Sequence, residues 1–138
     1  MLIISHRGNT SGAFSPFENK PEHIKSVLKD YDCEVDVWYH NGFYYLGHDF
    51  ANYIVDKKFL KHKRLWCHAK HLQSLEQMLV DNIKCFFHQN DDYTLTSNGY
   101  IWTFPCKPVS KNSIIVDTSK DWKNKNYDCY GVCVDYII

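Results

Sequence analysis

Apolar and polar residues alternate with a period of two along several short stretches, and with a helical period along two longer ones. Cys33–Tyr39 is the clearest strand signal: Glu34, Asp36 and Trp38 share one parity while Val35 and Val37 take the other, so the two faces differ in chemistry. Asn41-Gly42 marks a tight turn into Phe43–Gly47, which reads as a hairpin arm. Further strand-like runs are Leu2–Ser5, Leu65–His68, Cys85–His88, Tyr100–Phe104, Ser113–Val116 and Gly131–Val134. Pro21–Tyr31 predicts a helix with proline at its entry and Ile24, Val27 and Leu28 along one face. Leu72–Asn82 repeats the pattern through Leu72, Leu75 and Leu79, followed by Ile83, and Asp56–His62 adds a single turn. Beyond Asp91 the helical signal fades, and short strands are joined by segments rich in Asn, Ser, Lys and Pro.

Strand–helix–strand alternation predicts a parallel α/β arrangement. The 138 residues suit one domain spanning 1–138, with no repeat or linker to divide it. A (β/α)8 barrel normally takes about 250 residues, so a barrel on this chain is a reduced one, with several outer helices shortened or lost.

Lys+Arg and Asp+Glu balance at 16 each, which leaves no basic field to attract nucleic acid. No apolar run approaches the roughly 20 residues of a membrane span, and Leu2-Ile3-Ile4 is too short for a signal core. A cytoplasmic location is expected. Cys33, Cys67, Cys85 and Cys133 fall within or beside apolar strands, where reduced cysteine acts as a small hydrophobe. The spacing of Cys129 and Cys133 has no second pair to complete a zinc site. Lys57-Lys58 and Lys61-His62-Lys63-Arg64 form a basic run that reads as a solvated face, with weak contact to anionic lipid head groups as the alternative.

The candidate chemistry lies in the first half of the chain. Glu34 and Asp36 project from one strand face, where like charges repel unless a cation or proton lies between them. Such oxygen ligands suit Mg²⁺ or Ca²⁺. A solvated face would also account for the pair, but flanking Val35, Val37 and Trp38 favour a buried strand. His6 ends the first strand and opens the loop His6-Arg7-Gly8, the location at which parallel α/β folds set their sites. Arg7 offers a planar fork to a phosphoryl oxygen. His88-Gln89-Asn90-Asp91-Asp92 reads as a loop at the mouth, and His23, His40, His62 and His71 as solvated side chains.

Taken in order, His6-Arg7-Gly8, Pro16-Phe17-Glu18-Asn19, Glu34-Val35-Asp36-Val37 and His48-Asp49 resemble the motifs of the glycerophosphodiester phosphodiesterase family. Cys67-His68-Ala69-Lys70, Trp102-Thr103 and Gly131-Val132-Cys133-Val134-Asp135-Tyr136 extend the resemblance over nearly the whole chain. It implies a barrel of the phosphatidylinositol phospholipase C type. It also implies His6 and His48 as an acid–base pair, and Glu18, Glu34 and Asp36 around a divalent cation. Arg7 and Lys70 would neutralise the phosphate, Asn19 would support the first loop, and Trp102 would contact substrate. The partner implied is a small-molecule phosphodiester.

Three departures stand against it. His68 occupies the place of a family glutamate, bringing an imidazole without negative charge to the metal. The second motif carries an inserted residue. The insertion that family members carry after His48-Asp49 is missing, so an open pocket is expected. The leading expectation is metal-dependent hydrolysis of a glycerophosphodiester through attack by a neighbouring substrate hydroxyl. The alternatives are a catalytically silent module for phosphate or lipid head groups, and a phosphodiesterase for lysophospholipids or sphingolipids.

Overall fold

The computed structural model describes residues 1–138. Its strands are β1 (Leu2–His6), β2 (Asp32–His40), β3 (Phe43–Leu46), β4 (Tyr53–Val55), β5 (Leu65–Ala69), β6 (Cys85–Phe86), β7 (Tyr93–Leu95), β8 (Ile101–Thr103), β9 (Ser113–Asp117) and β10 (Gly131–Val134). Three short helices accompany them: α1 (Pro21–Val27), α2 (Lys57–Leu60) and α3 (Leu72–Val80). Pro21 opens α1 as the sequence predicts, and Asp56 caps α2 by accepting from the Phe59 N–H. No helix is long and apolar enough to cross a membrane.

All strands join one ten-stranded sheet. The order β6-β5-β2-β1-β10-β9-β8 is parallel throughout, with the first and last long strands adjacent. Strand β2 is the hub. One edge takes β5, while the other takes β1 along Asp32–Glu34 and then β3, antiparallel, along Val37–His40. Strands β4 and β7 add further antiparallel pairs to β3 and β8.

The reduced (β/α)8 barrel expected from the sequence is therefore wrong. The chain forms a curled mixed sheet, a half-barrel, in which β6 and β8 share no ladder and β3 and β7 run against the parallel strands. The reason lies in the connections. Residues 87–100 fold back as β7 instead of crossing over as a helix, and residues 104–112 carry no helix at all. Residues 118–130 supply only the 3-10 turn Trp122–Lys125. With helices absent there, the outer layer that defines a (β/α)8 barrel is missing.

Strand alternation sorts side chains onto two faces. On the concave face Ile4, Trp66, Phe86, Trp102, Ile114 and Cys133 pack together. Rings span the gap between strands β6 and β8, with Phe86 and Trp102 stacked at 4.3 Å between centroids. On the convex face of β2 and β5, Cys33, Val35, Val37, Leu65, Cys67 and Ala69 pack with Ile24 of α1, Leu60 of α2 and Met78 of α3. On the convex face of β9 and β10, Ile115, Val132 and Val134 pack against Trp122 and Ile137. All six cysteines are free, and Cys33, Cys67, Cys85 and Cys133 are buried, in keeping with their reading as small hydrophobes.

Candidate functional site

The concave face becomes polar where the parallel strands end. His6 follows Ile4 on β1, Glu34 and Asp36 lie on β2, His68 follows Trp66 on β5, and Asp135 follows Cys133 just past β10. The turn after β1 is tight: Arg7 and Gly8 both take positive φ, and the Asn9 N–H donates back to the His6 carbonyl at 2.9 Å. Gly8 is required there, since a Cβ would stand 2.8 Å from Ile24 Cδ1 of α1.

His6 Nδ1 donates to Asp135 Oδ1 at 2.9 Å, and its Nε2 lies 4.0 Å from Glu34 Oε2. Burial lowers the His6 pKa, but the Asp135 hydrogen bond and the Glu34 charge outweigh it, so the imidazole holds its proton above the ordinary range. The Asp135 carboxyl is opposed by its own burial and is nonetheless lowered, chiefly by His6. A buried carboxylate that fixes one ring nitrogen as donor leaves the other free for proton transfer. His48 carries a solvent-exposed counterpart: its Nδ1 donates to Asp49 Oδ1 at 2.8 Å.

Asp36 sits among cations. His68 Nδ1 lies 3.2 Å from its Oδ1, Lys70 Nζ 3.8 Å from the same oxygen, and Arg7 Nε 3.4 Å from Oδ2. Asn19 donates to Oδ2 at 2.9 Å and accepts from the Asp36 N–H at 2.9 Å. Burial pushes the Asp36 carboxyl up, yet the His68 hydrogen bond and the charges of His68, Arg7 and Lys70 hold it well below the carboxylate range. Glu34 goes the other way. Burial, and after it the Asp36 charge, raises it to about 7.

Ligand atoms of Glu34, Asp36 and His68 lie within 4.8 Å of one another, so these residues form a group that can hold a metal ion. Glu34 Oε1 is buried without a hydrogen-bond partner, and a cation would satisfy it. His68 Nε2 donates to the His88 carbonyl at 3.2 Å. Its Nδ1 faces Asp36 Oδ1, so a cation bound between them would take the place of that hydrogen bond. The donor set of two carboxylates and one imidazole fits a divalent cation. Glu18 stands apart from this group: its Oε2 accepts from Asn9 Nδ2 at 2.7 Å and the Phe14 N–H at 3.0 Å, and its Oε1 faces Arg7 at 3.7 Å.

A cleft of about 380 Å³ is lined by His6, Arg7, Glu34, His48, His68 and Lys70 among others, so the two histidine–carboxylate pairs open on one space. Trp102 lines it as well, while Asn19 is buried beneath it as a support for Asp36. His88 also lines it, with its ring stacked 4.6 Å from that of His68; burial and the His68 charge lower it to about 4.

Sequence reasoning placed His88 in a loop at the mouth but assigned no role to Asp135 or Asn9. Asn9 Nδ2 bridges Glu18 and Asp135 at 2.7 and 2.8 Å, tying the first loop to the last strand. Two histidines read as solvated are tied down: the His71 Nε2 accepts from the Tyr39 N–H at 3.0 Å, and the His23 ring donates to the Gly8 carbonyl at 2.7 Å. No family model, curated protein or solved structure matches the chain.

Proposed function

We propose that the chain is a metal-dependent phosphodiester hydrolase acting on glycerophosphodiesters, working in the manner that its motifs share with the glycerophosphodiester phosphodiesterases. The observation that carries the reading is the convergence of His6, His48, Arg7 and Lys70 on one cleft beside Glu34, Asp36 and His68. Glu34, Asp36 and His68 would hold Mg²⁺ or Ca²⁺, and the imidazole also admits Mn²⁺ or Zn²⁺. When bound, the cation supplies positive charge against the non-bridging phosphoryl oxygens.

The protein side chains account for the proton movements. One imidazole takes the proton of the substrate hydroxyl next to the ester as its oxygen bonds to phosphorus. The other gives a proton to the departing alcohol oxygen as the old P–O bond breaks. Arg7 and Lys70 neutralise the phosphate, and Asp135 and Asp49 keep the two rings in the donor–acceptor state the exchange needs. The resulting cyclic phosphodiester is opened by water with the two roles reversed.

Release of alcohol from glycerophosphocholine, glycerophosphoethanolamine and glycerophosphoglycerol, measured over a panel of divalent cations, tests this. His6→Ala and His48→Ala should each lower turnover at least ~10²-fold with normal folding, and EDTA should abolish activity. Full activity in either variant removes the mechanism.

A specific observation favours a second reading. Asp36 already has His68, Lys70, Arg7 and Asn19 around it, so the site is charge-compensated without a cation. A catalytically silent phosphate-binding module would behave so, and it predicts saturable binding of these esters with no product at any cation concentration.

A further inference from the structure

A second groove lies apart from the cleft and shares no lining residue with it. It measures about 700 Å³. Helix α1 supplies part of its lining, and the β4–α2 segment supplies the rest. Leu28, Ile54 and Phe59 are among its apolar residues, and Lys58, Lys61 and His62 among its polar ones.

Most charges around it are already matched. Lys25 lies 3.5 Å from Glu22, Lys57 3.3 Å from Asp81 and Arg64 3.5 Å from Asp32. Asp56 Oδ1 is taken by the Phe59 N–H at 2.8 Å. Lys58 and Lys61, by contrast, pair with no carboxylate. His62 Nδ1 accepts from the Arg64 N–H at 3.1 Å, so the neutral ring carries its proton on Nε2, which donates to no protein atom. Three donors from α2 and the residues just after it thus border the groove without an internal acceptor. Surface lysines are ordinarily solvated, and the strand beside these sets them apart.

Strand β4 ends the sheet and pairs only with β3. Outside that ladder the backbone of Tyr53–Val55 makes no hydrogen bond, so its outer N–H and C=O groups are open to another strand. The strand is short, but it carries neither proline nor charge, and its middle residue, Ile54, is 60% exposed. An extended peptide pairing with such an edge gains main-chain hydrogen bonds, while its alternate side chains reach what flanks the edge. Here the flanking groups are apolar side chains and unpaired ammonium groups, which carboxylates complement. A free inorganic anion would use the ammonium groups and leave Ile54 and the edge bare. Two copies joined edge to edge would bring two sets of unpaired lysines into one interface.

We infer that the β4 edge and its groove take an extended acidic segment of a partner protein, added to the sheet as a further strand with carboxylates on Lys58 and Lys61. The inference does not depend on the phosphodiester reading, since no cleft residue takes part.

The test is fluorescence anisotropy with a labelled, end-blocked peptide alternating glutamate and valine, at low ionic strength where exposed charges are least screened. The wild-type chain should bind it saturably. Lys58→Glu/Lys61→Glu should weaken binding at least about tenfold, and Ile54→Ser at least about threefold, with circular dichroism spectra unchanged. The exposed Lys111→Glu/Lys120→Glu pair, an equal change of charge elsewhere, should leave binding within about twofold. The same peptide methylated at every backbone nitrogen keeps its charge but has no N–H to donate, and should bind at least about tenfold more weakly. Absence of saturation, equal binding by the Lys58→Glu/Lys61→Glu variant, or equal binding of the methylated peptide overturns the inference. A polyuridine oligonucleotide that binds more tightly than the peptide, with the same lysine dependence, overturns it in favour of nucleic acid. So does a wild-type dimer in light scattering that Ile54→Ser dissolves, since the edge would then join two copies.

Discussion

The two halves of the sheet are built differently. Around β2 and β5 the convex face is covered by α1, α2 and α3, and fifteen buried residues form one apolar cluster. Around β9 and β10 no α-helix is present, and the cluster comprises five buried residues with Trp122 as the main cover. Polar bonding takes up part of that role: Asp117, at the end of β9, accepts from Ser119 and from Lys125 Nζ at 2.9 Å, and also from the Tyr127 hydroxyl. The contrast shows how a short chain divides its work. The helix-backed half holds Glu34, Asp36, His48 and His68, whereas the thinner half supplies Asp135 and Trp102. His6 sits on β1, at the seam.

Breaking the helix-backed half should have the largest effect. Met78 of α3 is fully buried, and Met78→Ala should cost about 2–5 kcal/mol in denaturant unfolding. Loss of cation binding should accompany the unfolding and not precede it. An unchanged midpoint would mean that α3 does not anchor the sheet.

A change at the seam should separate chemistry from cation binding. Asp135→Asn keeps the shape but weakens the acceptor for His6, so turnover should fall about 10–100-fold, with little change in the cation concentration needed for half-activity. A matching fall in cation affinity would show that the two halves do not act separately. The pH profile should move too. Asp135 helps keep the His6 pKa raised, so the limb that reports His6 should shift to lower pH in the variant.

The smallest effect belongs to the thin half. Burial opposes ionisation of Asp117, but the Lys125, Ser119 and Tyr127 bonds lower it to about 2. The folded-state pKa lies below the ordinary value of 3.8, so this stabilisation is present above pH 4 and is lost as pH falls toward 2. Asp117→Asn should therefore cost about 1–2 kcal/mol at pH 7 and almost nothing at pH 2. Equal costs at both values would contradict the account.

Much of the local structure was legible. Period-two alternation marked β2, Asn41-Gly42 marked the hairpin, and Pro21 marked the start of α1. Strands β4 and β7 were missed because three residues are too few to display a period. The architecture was misread because the resemblance supplied a closed barrel, whereas β6 pairs only with β5 and residues 93–95 turn back as the antiparallel β7. At the site, spacing along β2 showed Glu34 and Asp36 sharing a face. No local pattern announces that Asp135 bonds His6 across 129 positions, since that contact is created by the β1–β10 pairing. Nor does any pattern reveal that Glu18 turns to Asn9 and Arg7, away from the Glu34–Asp36–His68 group.

The most direct test is a divalent-cation titration of alcohol release from glycerophosphocholine, run on the wild type and on Glu34→Gln. Saturable, cation-dependent turnover is expected in the wild type. With the negative charge of Glu34 removed, the variant should need at least about tenfold more cation. Turnover that survives EDTA, or that responds identically in both proteins, would contradict a cation held by Glu34, Asp36 and His68.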